Sequence, residues 1–295
     1  MRGAHPERNV ELAVARDGVV RPGERVLIAC SGGPDSVALA AVLRAAGKPL
    51  HLTLRVAHVN HAARASSAQD ECVAAAVAGS LGLTFDVVRL RSGARDESGW
   101  RDARYAALIE LARQTGCAAV ATAHHAEDQS ETVLLALFRG TGPDGIAGMR
   151  PRRTLAPEID LVRPLLRVRA SQLRRYCHLR GLPYAVDPSN ADGTFARNAV
   201  RQALDALRPL FPGLDEAVAR AAALAGDERA ETGRAGLRRR VRGRLAEERE
   251  LRDVDFLHIE AAVAALECGR SGSFYMKAGL RLEILRGEIA GITRA

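Results

Sequence analysis

RVLIACSGGPDS, residues 25–36, decides the fold. A short apolar run, Arg25–Cys30, breaks into Ser-Gly-Gly-Pro, and from Asp35 to Ala46 the apolar residues recur at helical spacing until Gly47. This reads as a buried strand, a tight loop and the start of a helix. Gly32 and Gly33 carry no Cβ, so the backbone can approach a phosphate. The helix start offers free N–H groups and the positive end of a dipole. Ser31 and Ser36 add hydroxyl donors, and Pro34 belongs to the loop between them. Asp35 would repel a phosphate unless a cation lay between them, so Mg²⁺ is implied, with Asp35 as its ligand. A plain strand–turn–helix corner also fits these residues. No G-x-x-x-x-G-K-[ST] occurs, which excludes a P-loop NTPase by that signature.

Outward from this stretch the pattern repeats. Leu52–His58, Phe85–Leu90 and Ala118–Ala123 read as strands, and Ser66–Leu81, Trp100–Thr115 and Glu127–Arg139 as helices, closed by Gly82, Gly116 and Gly140. Strands alternating with helices predict an α/β fold with a mostly parallel sheet covered on both faces. Such sheets bind ligands at the carboxyl ends of their strands. Ser31–Ser36, His58–His61 and His124–Glu131 all fall there. Gly140–Gly145 (GTGPDG) matches G-x-G-x-x-G but follows a helix, so it reads as a helix stop and loop.

Beyond Met149 the pattern changes. Leu161–Leu166 is extended, and Ser171–Arg180 is helical with Ser171 as its N-cap. Asp187–Asp192 is turn-rich. Phe195–Leu207 and Leu214–Arg244 read as helices, the second broken near Gly233 or Gly236. Leu257–Leu266 is a helix, followed by strands near Ser273–Lys277, Leu280–Leu285 and Ile289–Ile292. The division expected is a catalytic domain over 1–210, a helical linker over 211–250 and a small α+β domain over 251–295.

Composition sets the bounds. The chain has 295 residues, 47% of them hydrophobic and 26% charged; that excludes a disordered tail, a collagen-like fibre and a disulfide miniprotein. No apolar run approaches the ~18 residues of a membrane span, and the polar start to Glu11 carries no secretory signal. Five cysteines at wide spacing, without a Cys-x-x-Cys pair, argue against a disulfide framework or a zinc ribbon and for a reducing cytoplasm. Net charge is +8, which suits a polyanionic partner, although Arg and Ala enrichment also follows from codon bias. Residues 150–201 hold eleven Arg against four acids.

Four further groups can carry chemistry. His58-Val-Asn-His61 and His124-His125 would suit a metal hydrolase or polar loops. Asp128 and Glu131 stand at i and i+3 on one helix, a spacing that can hold an ammonium group or take a proton from it, or serve as a solvated face. Arg101 and Arg104 share a helical face that could steady phosphate charge or meet solvent. Asp187–Asn190, Arg197, Asn198 and Arg201 form a polar turn entering a basic helix, suited to RNA phosphate or to capping.

Taken together, these segments resemble a known family. SGGPDS is similar to the SGGxDS pyrophosphate loop of the N-type ATP pyrophosphatases, the PP-loop proteins. HVNHAARASSAQDE, ESGWRDARY, AHHAEDQSETVLLALFRG, LVRPLL and VDPSN…FARNAVR follow in the order and spacing of the tRNA(Ile)-lysidine synthetase family, over about Arg25–Arg201. The tail GRSGSFYMKAGLRLEILRGEIAGI is similar to that family's small C-terminal domain.

The resemblance implies a Rossmann-like sheet of the adenine nucleotide alpha hydrolase kind and an AMP-forming carbon–nitrogen ligase of the cytoplasm. Free L-lysine would be joined to C2 of the wobble cytidine of a CAU-anticodon tRNA(Ile), through a tRNA adenylated by ATP with Mg²⁺. It assigns Ser31–Ser36 and His58 to the nucleotide, Arg101 and Arg104 to its phosphates, and His124 to the vicinity of the reacting phosphate. Asp128 and Glu131 go to lysine, and Asn190, Arg197, Asn198 and Arg201 to tRNA. A homodimer is compatible with the sequence. Two departures stand out: Glu127 occupies a position where the family commonly has Asp, and the chain's length resembles the short form. The rivals are a tRNA thiolating enzyme or other PP-loop adenylating enzyme, which would want close-set cysteines for sulfur transfer, an amide-forming synthetase, and a non-catalytic RNA-binding protein.

Overall fold

The structure is a computed structural model and describes residues 6–60, 67–90, 97–140, 146–185, 195–227, 236–237, 240–241, 244–245, 256–276 and 280–294. It divides into two compact units, Met1–Gly140 with Gly148–Arg220, and Thr141–Ala147 with Ala221–Ala295.

The first unit is built on a six-stranded sheet. Its strands are β1 (Arg25–Ala29), β2 (Thr53–Asn60), β3 (Thr84–Arg89), β4 (Ala119–Ala121), β5 (Arg152–Ala156) and β6 (Ile159–Val162), in the order β3-β2-β1-β4-β6-β5. All neighbours are parallel except the edge pair β5–β6. β1 therefore lies between β2 and β4, and the chain, having laid β2 and β3 on one side of it, returns to place β4 on the other. That reversal opens a crevice at the carboxyl ends of β1 and β4.

Helix α1 (Pro6–Arg16) precedes β1; α2 (Pro34–Gly47), α3 (Ser67–Ser80), α4 (Glu97–Thr115) and α5 (Ala126–Phe138) follow β1 to β4 in turn. α2 is the central helix. From Ser36 to Leu43 every residue is buried, which is what a helix apolar all round requires. Its alanines let α1 and α6 (Ala170–Leu179) pack closely on it. One core unites α2 with Val26, Ile28, Val56 and Leu173; a second, on α4, gathers Leu27, Leu108, Val120 and Leu161. Leu27 and its neighbours Val26 and Ile28 thus point to opposite faces, as the pleat dictates.

Two elements depart from the sequence reading. The polar start contains α1, whose Val10 and Val14, one turn apart, are buried. The strand β5 pairs with β6 around a turn in which Glu158 adopts φ +64°. The expected N-cap Ser171 is also corrected: the helix begins at Ala170, with Arg169 as N-cap. The amide of Ala170 donates to the Glu127 carboxylate, at 3.0 and 3.1 Å, so an acid from α5 supplies the cap that was assigned to a local serine.

After α7 (Phe195–Leu207) and α8 (Leu214–Asp227), the second unit holds α9 (Phe256–Glu267) and an antiparallel meander, β7 (Gly272–Met276), β8 (Leu280–Leu285) and β9 (Glu288–Arg294). Arg286 (φ 51°) and Gly287 (φ 76°) give β8 and β9 the two positive-φ turn residues of a tight hairpin. Ile259, Val263, Leu282 and Ile284 fill its core.

Candidate active site

The Ser31–Ser36 loop closes on itself. The Ser36 hydroxyl donates to Gly33 O (2.9 Å) and accepts from the Ser31 amide (3.1 Å); the two serine hydroxyls lie 3.2 Å apart. Gly33 is the N-cap of α2 and Pro34 its first residue. Gly32 adopts φ +92°, and a Cβ there would stand 2.8 Å from the carbonyl oxygen of Asp70 in α3. Conformation and space both demand glycine. Gly32→Ala is expected to distort the loop and lower ATP affinity at least tenfold, with a melting temperature several degrees down; calorimetric ATP binding and a thermal melt check it. Behind the loop, the stretch after β6 braces it. Ala185 N donates to Gly32 O (2.9 Å), and the Cys177 thiol to Pro34 O (3.4 Å).

Across the crevice, β4 delivers Thr122–His125. His125 is ringed by three carboxylates: Glu127 Oε2 is 3.1 Å from Nδ1, and Asp128 Oδ2 and Asp35 Oδ2 are 3.5 and 3.6 Å from Nε2. The contact at Nδ1 has the distance of an ion pair but not the direction of a hydrogen bond. Burial alone would lower the His125 pKa; the carboxylates outweigh it and lift it to about 9. Burial raises Glu127, but the imidazolium and the Ala170 amide bring it down to about 2. Asp35 moves the other way. Burial pushes its pKa up, His125 offsets part of that, and Asp128 adds to it. Asp35 Oδ1 is buried without a hydrogen-bond partner.

His124, the next ring, has the opposite surroundings. Its Nδ1 meets the Thr122 hydroxyl at 2.9 Å. Burial, then the charges of Arg163, Arg104 and Arg101, lower its pKa to about 3, so it is neutral. Arg101 and Arg104, on α4, flank the Tyr105 ring at 5.8 and 5.7 Å. Arg163 was not singled out from sequence; it is 3% exposed at the end of β6. The flag available was its place in LVRPLL, a charged residue inside an apolar run.

The remaining candidates are separated by this geometry. His58, at the end of β2, is buried, with Nδ1 2.9 Å from Cys30 O; a carbonyl only accepts, so Nδ1 donates, which leaves Nε2 free of this contact. Asp128 and Glu131 share a helix but not an environment. The Asp128 side chain is 22% exposed and accepts from the His125 amide. That of Glu131 is 3% exposed, and both its oxygens take guanidinium donors: Arg201 Nε at 2.7 Å and Nη2 at 3.1 Å, Arg197 Nε at 3.3 Å. Asn198 lies between those arginines on α7, and Asn190 and His61 lie outside the described residues. The basic stretch is also less free than its count suggests, for Arg152, Arg169 and Arg180 pair with Glu24, Glu216 and Glu11.

Known proteins are similar to this chain in sequence. The family model of the PP-loop domain matches residues 5–207. The tRNA(Ile)-lysidine synthase of Salinispora arenicola is 38% identical over 291 residues, covering 87% of each chain, and that of Salinispora tropica is 44% identical over 225 residues, 72% of this chain and 67% of the relative. The chain belongs to the tRNA(Ile)-lysidine synthase family.

Against longer members of the tRNA(Ile)-lysidine synthase family the match is partial: the Symbiobacterium thermophilum relative is 37% identical, over only 42% of its length. Among solved structures, a U34-tRNA thiolase of Methanococcus maripaludis superposes with a TM-score of 0.62 at 19% identity, over 74% of this chain and 76% of that one; this supports the fold. No described helix is long and apolar enough to cross a membrane.

In this tRNA(Ile)-lysidine synthase family member the two adjacent histidines pull stability in opposite directions with pH. Between about pH 3 and 6.5 the unfolded chain protonates at His124 and the folded one does not, so stability rises with pH. Between 6.5 and about 9 the folded chain holds the His125 proton that the unfolded one loses, so stability falls with pH. The urea midpoint should peak near pH 6.5. His124→Asn should flatten the acid limb and His125→Asn the alkaline one. Unchanged limbs in both variants would refute the assignment.

Proposed function

We propose that the chain joins L-lysine to C2 of the wobble cytidine in a CAU-anticodon tRNA(Ile), with ATP as the source of AMP and pyrophosphate. The observation that carries this reading is the meeting, at one switch point, of a phosphate-accepting loop with a carboxylate-lined crevice. Ser31–Ser36 offer hydroxyls and helix N–H groups to the phosphates. His58, from β2, offers Nε2 on the nucleotide side.

Mg²⁺ fits the residues present. Asp35 has a buried oxygen without a partner, and Mg²⁺ is commonly held by one or two carboxylates completed by substrate phosphates. Asp35 would hold the ion, which would supply charge to neutralise the phosphates.

The chain's own groups then act on the two substrates. Arg101 and Arg104 steady phosphate charge. His124, neutral, can donate a hydrogen bond or accept one without adding charge beside them. An amine with an ordinary pKa of about 10.4 must shed a proton before it attacks carbon. Asp128 is the carboxylate open to that ammonium. Glu131, one turn on, adds negative charge while its oxygens orient Arg197 and Arg201, which with Asn190 and Asn198 would face the tRNA. In this reading the catalytic domain is the expected 1–210, and the helical linker, 211–250, and the small domain, 251–295, partly outside the described residues, extend the contact with tRNA. A homodimer would not alter this chemistry, since each residue named comes from one chain.

A sulfur-transfer reading is less favoured. All five cysteines are free; Cys72, Cys117 and Cys268 lie on α3, at the approach to β4 and at the end of α9, while Cys30 and Cys177 share one core, where burial raises both thiol pKa values and disfavours the thiolate that sulfur transfer needs.

Radiolabelled lysine, ATP and Mg²⁺ with the CAU-anticodon transcript should label the RNA and release AMP and pyrophosphate. A transcript with the wobble C changed to U should take no label. Equal labelling of both, or none with RNA-dependent pyrophosphate release, would overturn the proposal.

A further inference from the structure

We infer that Arg163 is the buried floor of a phosphoryl-binding site walled by His124, Arg101, Arg104 and Tyr105, on the β6 side of the crevice. The backbone brings these groups together. β4 and β6 are parallel neighbours with Ala121 opposite Val162, and Thr122 N donates to Val162 O at 3.0 Å. Thr122 and Arg163, the next residues of the two strands, therefore emerge at the same end of the sheet, and Thr122 holds the His124 ring. α4 crosses the same strands, with Arg101 and Arg104 in its first half on either side of Tyr105.

Arg163 is not held as a structural arginine usually is. It is 3% exposed, yet it has no ion pair among the described residues; its Nη1 donates to Arg150 O at 2.7 Å, while Nε is buried without a partner. Tyr105 lies beside it, close enough for its hydroxyl to act on the guanidinium, yet that hydroxyl is buried and makes no hydrogen bond of good geometry. Arg101 and Arg104 also lack a carboxylate partner among the described residues, whereas Arg152, Arg169, Arg180, Arg197, Arg201 and Arg208 all have one. A guanidinium stays charged when buried, and an unpaired buried charge is costly. Cations gathered around a neutral histidine, with buried donors in no well-formed hydrogen bond and no acid paired to them among the described residues, are complementary to an anion. A tetrahedral phosphoryl group, with several acceptor oxygens, can take donors from arginine and tyrosine at once.

The inference rests on the proposed function only for the identity of the ligand. The phosphoryl group could come from ATP or from the tRNA backbone beside the wobble nucleotide. The site lies at the same end of the sheet as the Ser31–Ser36 loop, with β6 two strands across from β1.

The test uses the full chain and needs no turnover. Trp100, the single tryptophan and the neighbour of Arg101, reports binding by its fluorescence. Arg163→Met removes the charge and keeps the volume, a replacement that buried ion sites often tolerate; Arg163→Lys keeps the charge without the fork. Wild type is titrated with inorganic pyrophosphate, a non-hydrolysable ATP analogue and the tRNA transcript, and each variant likewise after a thermal melt. Arg163→Met should weaken pyrophosphate at least tenfold, with Arg163→Lys in between. An equal loss for the ATP analogue, with tRNA unchanged, assigns the site to ATP. A loss for tRNA, with a salt slope lower by about one, assigns it to the backbone. If Arg163→Met melts like wild type and binds all three ligands as wild type does, the site does not exist. If it fails to fold, Arg163→Lys decides: unchanged binding of all three by a folded lysine variant, which lacks the bidentate fork, overturns the inference equally. Failure of lysine incorporation would leave these binding results standing.

Discussion

Asp35→Asn should cut lysine incorporation by roughly a thousandfold while leaving the melting temperature within a few degrees of wild type. The carboxylate is held against its own electrostatics. Burial raises its pKa, Asp128 and Glu127 add repulsion, and one of its oxygens has no partner. A group kept for stability would have both oxygens satisfied. Asparagine retains the shape and removes the repulsion, but leaves His125 one carboxylate fewer, so the two effects on stability nearly offset. What is lost is the negative charge facing the phosphate loop, where the ion that neutralises the triphosphate would sit. Lysine incorporation at saturating and at limiting Mg²⁺, beside a thermal melt, separates the possibilities. Full activity would remove Asp35 from the chemistry. A fall in melting temperature comparable to a core deletion would make it a structural residue. Asp128→Asn should act differently, raising the lysine KM more than it lowers turnover, because its proposed partner is the incoming ammonium.

Local sequence carried the parts of the structure that local physics determines. Arg25–Cys30, with three consecutive buried apolar residues, could be little else but an interior strand, and SGGP could only turn. The parallel sheet and the place of the site at its carboxyl ends followed from the alternation of strands and helices. What escaped was set by partners far along the chain. Glu127 caps α6 from 43 residues away, and no local rule prefers it to Ser171. α1 hid because, among its described side chains, Val10 and Val14 alone are buried in a polar segment. The i, i+3 spacing of Asp128 and Glu131 places both on one helix, but spacing does not say that α7 returns to occupy Glu131. Arg163 is the same lesson for charge: its surroundings, not its composition, separate it from the arginines that merely pair on the surface.

Glu131→Gln should destabilise the first unit by about 2–3 kcal/mol. Removing one partner of a buried ion pair typically costs roughly 3–5 kcal/mol, because the other charge is left unpaired. Here the loss is smaller, since the Arg197 and Arg201 side chains are 30% and 39% exposed and can recover water. The carboxylate itself is 3% exposed, so its replacement leaves a buried amide facing two guanidinium groups. The two arginines should not share the effect equally. Arg201 engages both oxygens, whereas Arg197 makes one longer contact. In double-mutant cycles the coupling of Glu131 with Arg201 should exceed about 1 kcal/mol and that with Arg197 should fall below it. Urea denaturation of the single and double variants gives both values. A coupling with Arg201 near zero would mean that α7 is held by its apolar face alone, through Val200 and Leu204, and that Glu131 is free for the lysine ammonium. A strong coupling means that Glu131 is engaged by the arginines it holds, which leaves Asp128 as the carboxylate open to the ammonium in the proposed reaction.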